Sequence, residues 1–269
     1  MGDNGPAVSP QTSTPVDFPS HPSPAPNEVT VLITGFGPFK SNLINPSYLI
    51  ASSLPSSFSF PDLSKDISVA QRRISLHVHP SPVPVAYAAV RETLPVILAN
   101  FAEKNGGRSP DLVIHLGLAS PRPCYSVETL AHRDNYNCTD IEGRTGYEDG
   151  EKRWKDLNLP PILTPGRATA NQSSERGPFA PNDHFLEVWK SFAPAGLDLR
   201  LSHDPGHYLC DFIFYTSLSR AWREDRDRSV LFLHVPGGST DADIERGRDS
   251  ALALIRAMVT CWIDEKHPA

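Results

Sequence analysis

No apolar stretch in this sequence of 269 residues comes near the ~20 residues that a membrane-spanning helix needs. An excess of basic charge is missing too: 25 Lys and Arg stand against 31 Asp and Glu, a formal net charge of −6. That balance argues against nucleic acid or anionic lipid as a partner and leaves a small or neutral ligand as the default. Cysteine is scarce. The four residues Cys124, Cys138, Cys210 and Cys261 form no C-x-x-C pair and have no regular spacing, so neither a structural zinc site nor a disulfide framework is expected. Cys124 and Cys138 are placed to pair across a hairpin, but a reduced, cytoplasmic chain is the simpler expectation. The N-terminal stretch MGDNGPAVSPQTSTPVDFPSHPSPAPNE lacks the basic start and apolar centre of a signal peptide. Residues 1–28, rich in Pro and Ser, are expected to form a solvated tail that does not offset its ordering entropy.

What is present is an ordinary globular composition, 39% apolar and 21% charged, with enough chain for one large α/β domain or two small ones. EVTVLITGFGPF reads as an apolar strand stopped by glycines. INPSYLIASSL reads as a helix with Asn45 as cap and Pro46 in its first turn. RRISLHVHPSPVPV alternates through Ile74, Leu76 and Val78 as a second strand, and AYAAVRETLPVILANFAEK keeps helical spacing despite Pro95. PDLVIHLGLA, nearly all apolar, suits a strand covered on both faces. RPCYSVETLAHRDNY predicts a strand or hairpin. Residues 138–182 carry many Gly, Pro and charged residues with little periodicity, as in a long surface excursion. DHFLEVWKSFA (helix), LDLRLSHD (strand), GHYLCDFIFYTSLSRAW (helix) and RSVLFLHVP (strand) follow. An amphipathic helix from Thr240 to Trp262 closes the chain, with Ile244, Ala251, Ile255, Met258 and Trp262 on one stripe. The alternation predicts a single three-layer α/β domain, a mostly parallel twisted sheet with helices on both faces.

In such folds the loops leaving the carboxyl ends of the strands gather into the ligand site. Those loops here are GFGPF, GLASPR, DPGHYLC and HVPGG. Cys210 falls about one turn into a helix that follows a strand, where the helix dipole favours a thiolate and lowers its pKa. By position alone a buried apolar side chain is the slightly stronger reading, since free cysteine is among the most buried residue types. His234 ends an apolar strand just before Pro236 and Gly237, either as a general base entering the site or as a polar cap on the strand. His207, three residues before Cys210, is a local competitor, although a cation there opposes the dipole. His77 and His79 share a strand face, but no third ligand of suitable spacing accompanies them, so no metal site is expected. Glu128, in YSVETLA, is either on a wet face or paired with a buried cation. Paired with a histidinium, it completes a nucleophile, base and orienter set of Cys210, His234 and Glu128. GFGPF lacks the third glycine of a dinucleotide loop and the Lys-Ser/Thr of a P-loop. Its Phe36 and Phe39 suit a flat, neutral ring or simply fill core.

VLITGFGPF…NPS, PVPVAYAAV, HLGLASPR…VETLA, GHYLCDFIFY and FLHVP occur in this order, and together they resemble the pyroglutamyl peptidase I (pyrrolidone-carboxylate peptidase) family. The resemblance spans residues 29–265, with a long irregular insertion at about 143–182. It implies a phosphorylase/hydrolase-like α/β fold without metal or organic cofactor. It also implies an omega-peptidase that takes small peptides with an N-terminal pyroglutamyl residue. By the same resemblance the nucleophile falls on Cys210, the base on His234 and the orienting acid on Glu128, while Phe36, Phe39, Asn45, Tyr208 and Leu209 fall on the substrate pocket. The chain departs from the family pattern at Thr129, where arginine is common, at Arg133, where asparagine is, and at NCTDIEG, which replaces an arginine-containing block. Arg122 and Arg133 are the candidates to supply that charge. Two alternatives stand beside the peptidase: a degenerate member that binds without turnover, and a thiol hydrolase of another small amide or ester.

Overall fold

A computed structural model describes residues 28–39, 42–60, 72–168 and 180–263. The expected tail, apart from Glu28, lies outside the described residues, as do 169–179 of the expected insertion. In chain order the elements are β1 (Glu28–Gly35), α1 (Pro46–Ser52), β2 (Ser57–Phe60), β3 (Arg72–Val78), α2 (Tyr87–Lys104), β4 (Leu112–Leu118), β5 (Tyr125–Glu128) and β6 (Ala131–His132). Then come α3 (Lys152–Asp156), β7 (Ile162–Leu163), α4 (Asp183–Phe192), β8 (Leu199–Ser202), α5 (Leu209–Arg223), β9 (Val230–Val235) and α6 (Asp241–Met258). A π-helical turn precedes α3 at Tyr147–Glu151 and another follows α6 at Val259–Ile263.

Seven strands form one sheet in the order β2-β3-β1-β4-β9-β5-β8. The central strands β3, β1, β4 and β9 are parallel, as their near-continuous apolar sequences predict. Alternation then sorts their side chains. Val31, Ile33, Ile114, Leu116, Leu231 and Leu233 pack with Ile50 of α1, Trp189 of α4 and Leu254 of α6. Leu32, Val113 and Phe232 face the other way, against Val90 and Leu94 of α2 and Phe212 and Leu218 of α5. The three layers expected from the sequence are therefore present. Among the described residues no helix is long and apolar enough to cross a membrane.

Several local expectations hold and others are corrected. Asn45 caps α1 through its side chain with Pro46 at the first helical position, and α2 runs through Pro95. Thr240 and Asp243 form a capping box at the start of α6, which ends as an α-helix at Met258. The stretch around Glu128 is not a hairpin: β5 enters the main sheet antiparallel to β9, and β6 pairs with β7 instead. β8 runs parallel to β5 and so against the central strands. The loop before Cys210 therefore does not leave the same sheet edge as the loops after β1, β4 and β9. Short alternating strands carry no signal of direction, which is why the sequence pattern suggests otherwise.

The region after residue 138 is also more anchored than a surface excursion. Trp154 of α3 packs on Phe212 and Tyr215, at 4.9 and 4.6 Å between ring centroids. A buried aromatic of this kind contributes roughly 2–3 kcal/mol. Asp140 accepts the main-chain N–H of Tyr87 at 2.8 Å and so caps α2 from a distance of 53 residues in sequence. Glu151 accepts the N–H groups of Asn135 and Tyr136. Beneath α5, the fully buried His115 joins Thr34 Oγ1 and Ser217 Oγ, each at 2.7 Å. Burial pushes its pKa down to about 3, so it serves as a neutral strut between β1, β4 and α5. These contacts fix α5, and with it Cys210, over the sheet.

Candidate active site

The site begins with a glycine inside a buried strand. Gly117 of β4 is the register partner of His234 in β9, one strand spacing of about 4.8 Å away. A Cβ on Gly117 would stand 2.9 Å from Cys210 Sγ and would collide with the Phe232 ring. The Cys210 sulfur therefore occupies the space a side chain at 117 would fill. Paired residues of parallel strands project to the same face, so His234 stands on the sheet face that the sulfur covers at Gly117. A lone glycine in an apolar strand is the sequence signal of such a close approach.

His234 is 4% exposed and Glu128 is fully buried. His234 Nδ1 donates to Glu128 Oε1 at 2.6 Å. A carboxylate oxygen accepts here, so Nδ1 carries a proton and Nε2 is the ring nitrogen left free of Glu128. Arg122 meets the same carboxylate oxygen as His234, and the buried Oε2 has no hydrogen-bond partner among the described residues. Arg122 Nη1 donates to Glu128 Oε1 at 2.8 Å, to Ser126 Oγ at 3.0 Å and to Ser202 Oγ at 3.2 Å, while Nη2 donates to the Asp204 carbonyl at 2.7 Å. Arg133, the other candidate, pairs with Asp134 and donates to the Leu159 carbonyl. It serves the inserted region, whereas Arg122 neutralises Glu128. Thr129, at the position of the common family arginine, shares a hydrogen bond with His203 Nδ1 at 2.6 Å.

The expected low thiol pKa is reversed. Burial pushes the Cys210 thiol up, the negative charges of Glu128 and Asp211 add to this, and Arg122 and a backbone N–H only partly offset it. Desolvation outweighs the helix start here because the sulfur is wedged against Gly117. The resting side chain is then a neutral thiol. Iodoacetamide alkylation of Cys210 is expected to climb steadily as pH rises through 7 to 9 (about neutral to the ordinary thiol pKa), followed by peptide mass spectrometry. A rate plateau already reached near pH 6 would indicate a preformed thiolate instead.

The remaining sequence candidates divide into floor and rim. Phe36 and Leu209 are buried in the core on this face, with Phe39, Tyr208 and Cys210 packed at its partly exposed edge. Phe39 and Tyr208 stand 6.3 Å apart between ring centroids, and Tyr208 Oη donates to the Thr139 carbonyl at 3.3 Å. The GFGPF turn is tied down by Gly37 N–H donating to the Val83 carbonyl at 2.9 Å. Asn45 holds the same turn from the other side. Its Nδ2 donates to the Gly37 carbonyl at 2.8 Å, and its Oδ1 accepts from Ser47 N and Oγ. These contacts make it a positioning residue for the turn and cap of α1. His207 Nδ1 donates to the Asp134 carbonyl at 3.1 Å, so its nearest partners are not the sulfur's. His77 packs edge-on against Phe101.

Comparison with known proteins points in the same direction as the motifs. Residues 29–153 match the pyroglutamyl peptidase family model. Pyroglutamyl-peptidase 1 of Rattus norvegicus is 29% identical over 213 residues, covering 77% of this chain and 78% of the relative. The chain is thus similar to pyroglutamyl peptidases over most of its length. The pyrrolidone-carboxylate peptidase of Pyrococcus furiosus is 28% identical over 206 residues, covering 77% of this chain and 80% of its own length. Among solved structures, the pyrrolidone carboxyl peptidase of Thermococcus litoralis superposes with a TM-score of 0.62 at 18% identity, over 89% of this chain and 96% of that one. That of Pyrococcus furiosus gives 0.59 at 21% identity, over 86% and 99%. At these identities the structures speak for the α/β fold. The matched span of the family model contains Phe36, Asn45, Gly117 and Glu128 and ends before Cys210 and His234.

Proposed function

We propose that this chain is a cysteine omega-peptidase that hydrolyses the bond after an N-terminal pyroglutamyl residue. The observation that carries this reading is the Glu128–His234 hydrogen bond on the sheet face that Cys210 Sγ covers at Gly117. The assigned roles are Cys210 as nucleophile, His234 as general base and acid, and Glu128 as the orienting carboxylate with Arg122 as its counter-charge. A pyroglutamyl group has no amino-terminal charge, so its site needs no carboxylate to receive an ammonium. Phe36, Phe39, Tyr208 and Leu209 offer a flat apolar slot of that character, and Asn45 holds the GFGPF turn in place.

In the proposed cycle His234 Nε2 takes the thiol proton as the sulfur attacks the pyroglutamyl carbonyl carbon. The tetrahedral oxyanion collapses, the C–N bond breaks, and the imidazolium gives its proton to the leaving amine. Water, deprotonated by His234, then cleaves the thioester and restores the thiol. No side chain caps the first turn of α5, which leaves its N–H groups to face the oxyanion, and one such donor is worth about 3 kcal/mol. The cysteines Cys124, Cys138, Cys210 and Cys261 are all free, which suits a reducing compartment such as the cytoplasm.

The test is release of a fluorescent amine from a pyroglutamyl amide, beside the prolyl and glutaminyl amides. Turnover of the pyroglutamyl amide alone is expected. Binding of that amide without turnover would instead favour the degenerate-binder reading, and turnover of unrelated amides or esters a general thiol hydrolase.

A further inference from the structure

A second cluster of titratable groups surrounds the first turn of α5, outside the Cys210–His234–Glu128 set. Asp211, next to the nucleophile, is fully buried. Its Oδ1 accepts the main-chain N–H of His132 and its Oδ2 accepts His132 Nδ1, both at 2.9 Å. The same Oδ2 stands 3.8 Å from His207 Nδ1. The two imidazole rings lie 4.5 Å apart between centroids at 44°. One ligand atom from each of the three residues lies within 4.8 Å of the others.

We propose that His132, His207 and Asp211 form a binding site for one divalent transition-metal ion, of which Zn²⁺ is the best matched. Ligand atoms around tetrahedral zinc, each about 2.0–2.2 Å from the ion, stand roughly 3.3 Å from one another. The observed separations of 2.9 and 3.8 Å to Oδ2 bracket that value. Two nitrogens and one carboxylate oxygen select zinc, cobalt or nickel over magnesium or calcium. The carboxylate is also pre-aimed, because the His132 main-chain N–H holds Oδ1 while Oδ2 faces both rings, an outer hydrogen bond of the kind that supports metal ligands. The ion takes the place of the proton shared by His132 Nδ1 and Asp211 Oδ2, and His207 Nδ1 exchanges the Asp134 carbonyl for the metal.

Access is open. The His132 and His207 side chains are 22% and 41% exposed, so an ion enters from solvent and water completes its shell. The ligands come from β6, from the loop before α5 and from α5 itself. A bound ion therefore ties together the segments on either side of Tyr208, Leu209 and Cys210. Sequence spacing conceals the site, because His132 and His207 stand 75 positions apart in the numbering and His207 competes there for a different role.

The experiment is calorimetric titration of the full chain carrying Cys210→Ala with Zn²⁺, which removes binding by the nucleophile. One ion per chain is expected, with affinity reduced at least about tenfold by His207→Ala and by His132→Gln. His207 is exposed enough for its variant to fold, which thermal unfolding verifies. The Co²⁺ form is expected to show visible d–d bands without a thiolate charge-transfer band. Absence of Zn²⁺ binding, equal affinity in the His207→Ala variant, or a thiolate band that Cys138→Ser abolishes would each overturn the proposal.

Discussion

Replacing Cys210 by alanine is expected to lower kcat for pyroglutamyl amide hydrolysis by at least about 10,000-fold while KM changes by less than about threefold. The size follows from what the sulfur does in the proposed cycle. It forms the covalent bond that splits one difficult hydrolysis into two easier steps, and no nearby side chain replaces it. Ser126 and Ser202, the hydroxyls nearest the charge network, are committed to Arg122. The small change in KM follows from the proposed roles, which give substrate binding to Phe36, Phe39, Tyr208 and Leu209 and not to the sulfur. Removing the sulfur leaves a small space beside Gly117, so thermal stability should fall by no more than about 1–2 kcal/mol. Steady-state kinetics and a thermal melt on the same preparation check both points. A loss below tenfold would remove Cys210 from the chemistry, and a large rise in KM with kcat preserved would make it a packing residue.

The second large effect concerns the carboxylate. Glu128→Gln is expected to lower kcat by about 100- to 10,000-fold, again with little change in KM. A glutamine amide can turn its NH₂ toward His234 Nδ1, which forces that nitrogen to accept and places the ring proton on Nε2. The base is then blocked at the atom that must receive the thiol proton. The neutral amide also leaves the Arg122 guanidinium without the anion 2.8 Å away. Arg122→Ala should therefore reduce activity less than Glu128→Gln, since the His234 tautomer is retained. The reverse ranking would mean that Arg122 acts directly on the reacting carbonyl.

Much of this site is legible in the sequence because its parts obey local rules. Asn45-Pro46 announces the start of α1, glycines stop β1, and His234 closes a strand that is apolar throughout. Gly117 is legible in hindsight as a glycine interrupting a buried strand. Other features depend on distant partners. The four residues Tyr125–Glu128 alternate equally well in either strand direction, so only their pairing with β9 reverses β5 and, through it, β8. The inserted region lacks periodicity because carboxylates fix it: Asp140 caps α2 and Glu151 holds the turn at Asn135 and Tyr136. The thiol pKa runs opposite to the helix-dipole expectation because sequence shows the helix start but not the burial against Gly117. Arg122 and Arg133 are equivalent by sequence, and only their partners, Glu128 for one and Asp134 for the other, distinguish them.

The central claim, that Cys210 carries the pyroglutamyl group through a thioester, is tested most directly by trapping it. The enzyme is mixed with excess pyroglutamyl amide, quenched in acid within the first turnovers, and measured by intact-protein and peptide mass spectrometry. The account predicts a mass increase of one pyroglutamyl group, located on the peptide containing Cys210 and removed by hydroxylamine. Full turnover with no adduct at any quench time, together with activity persisting in Cys210→Ala, would contradict it.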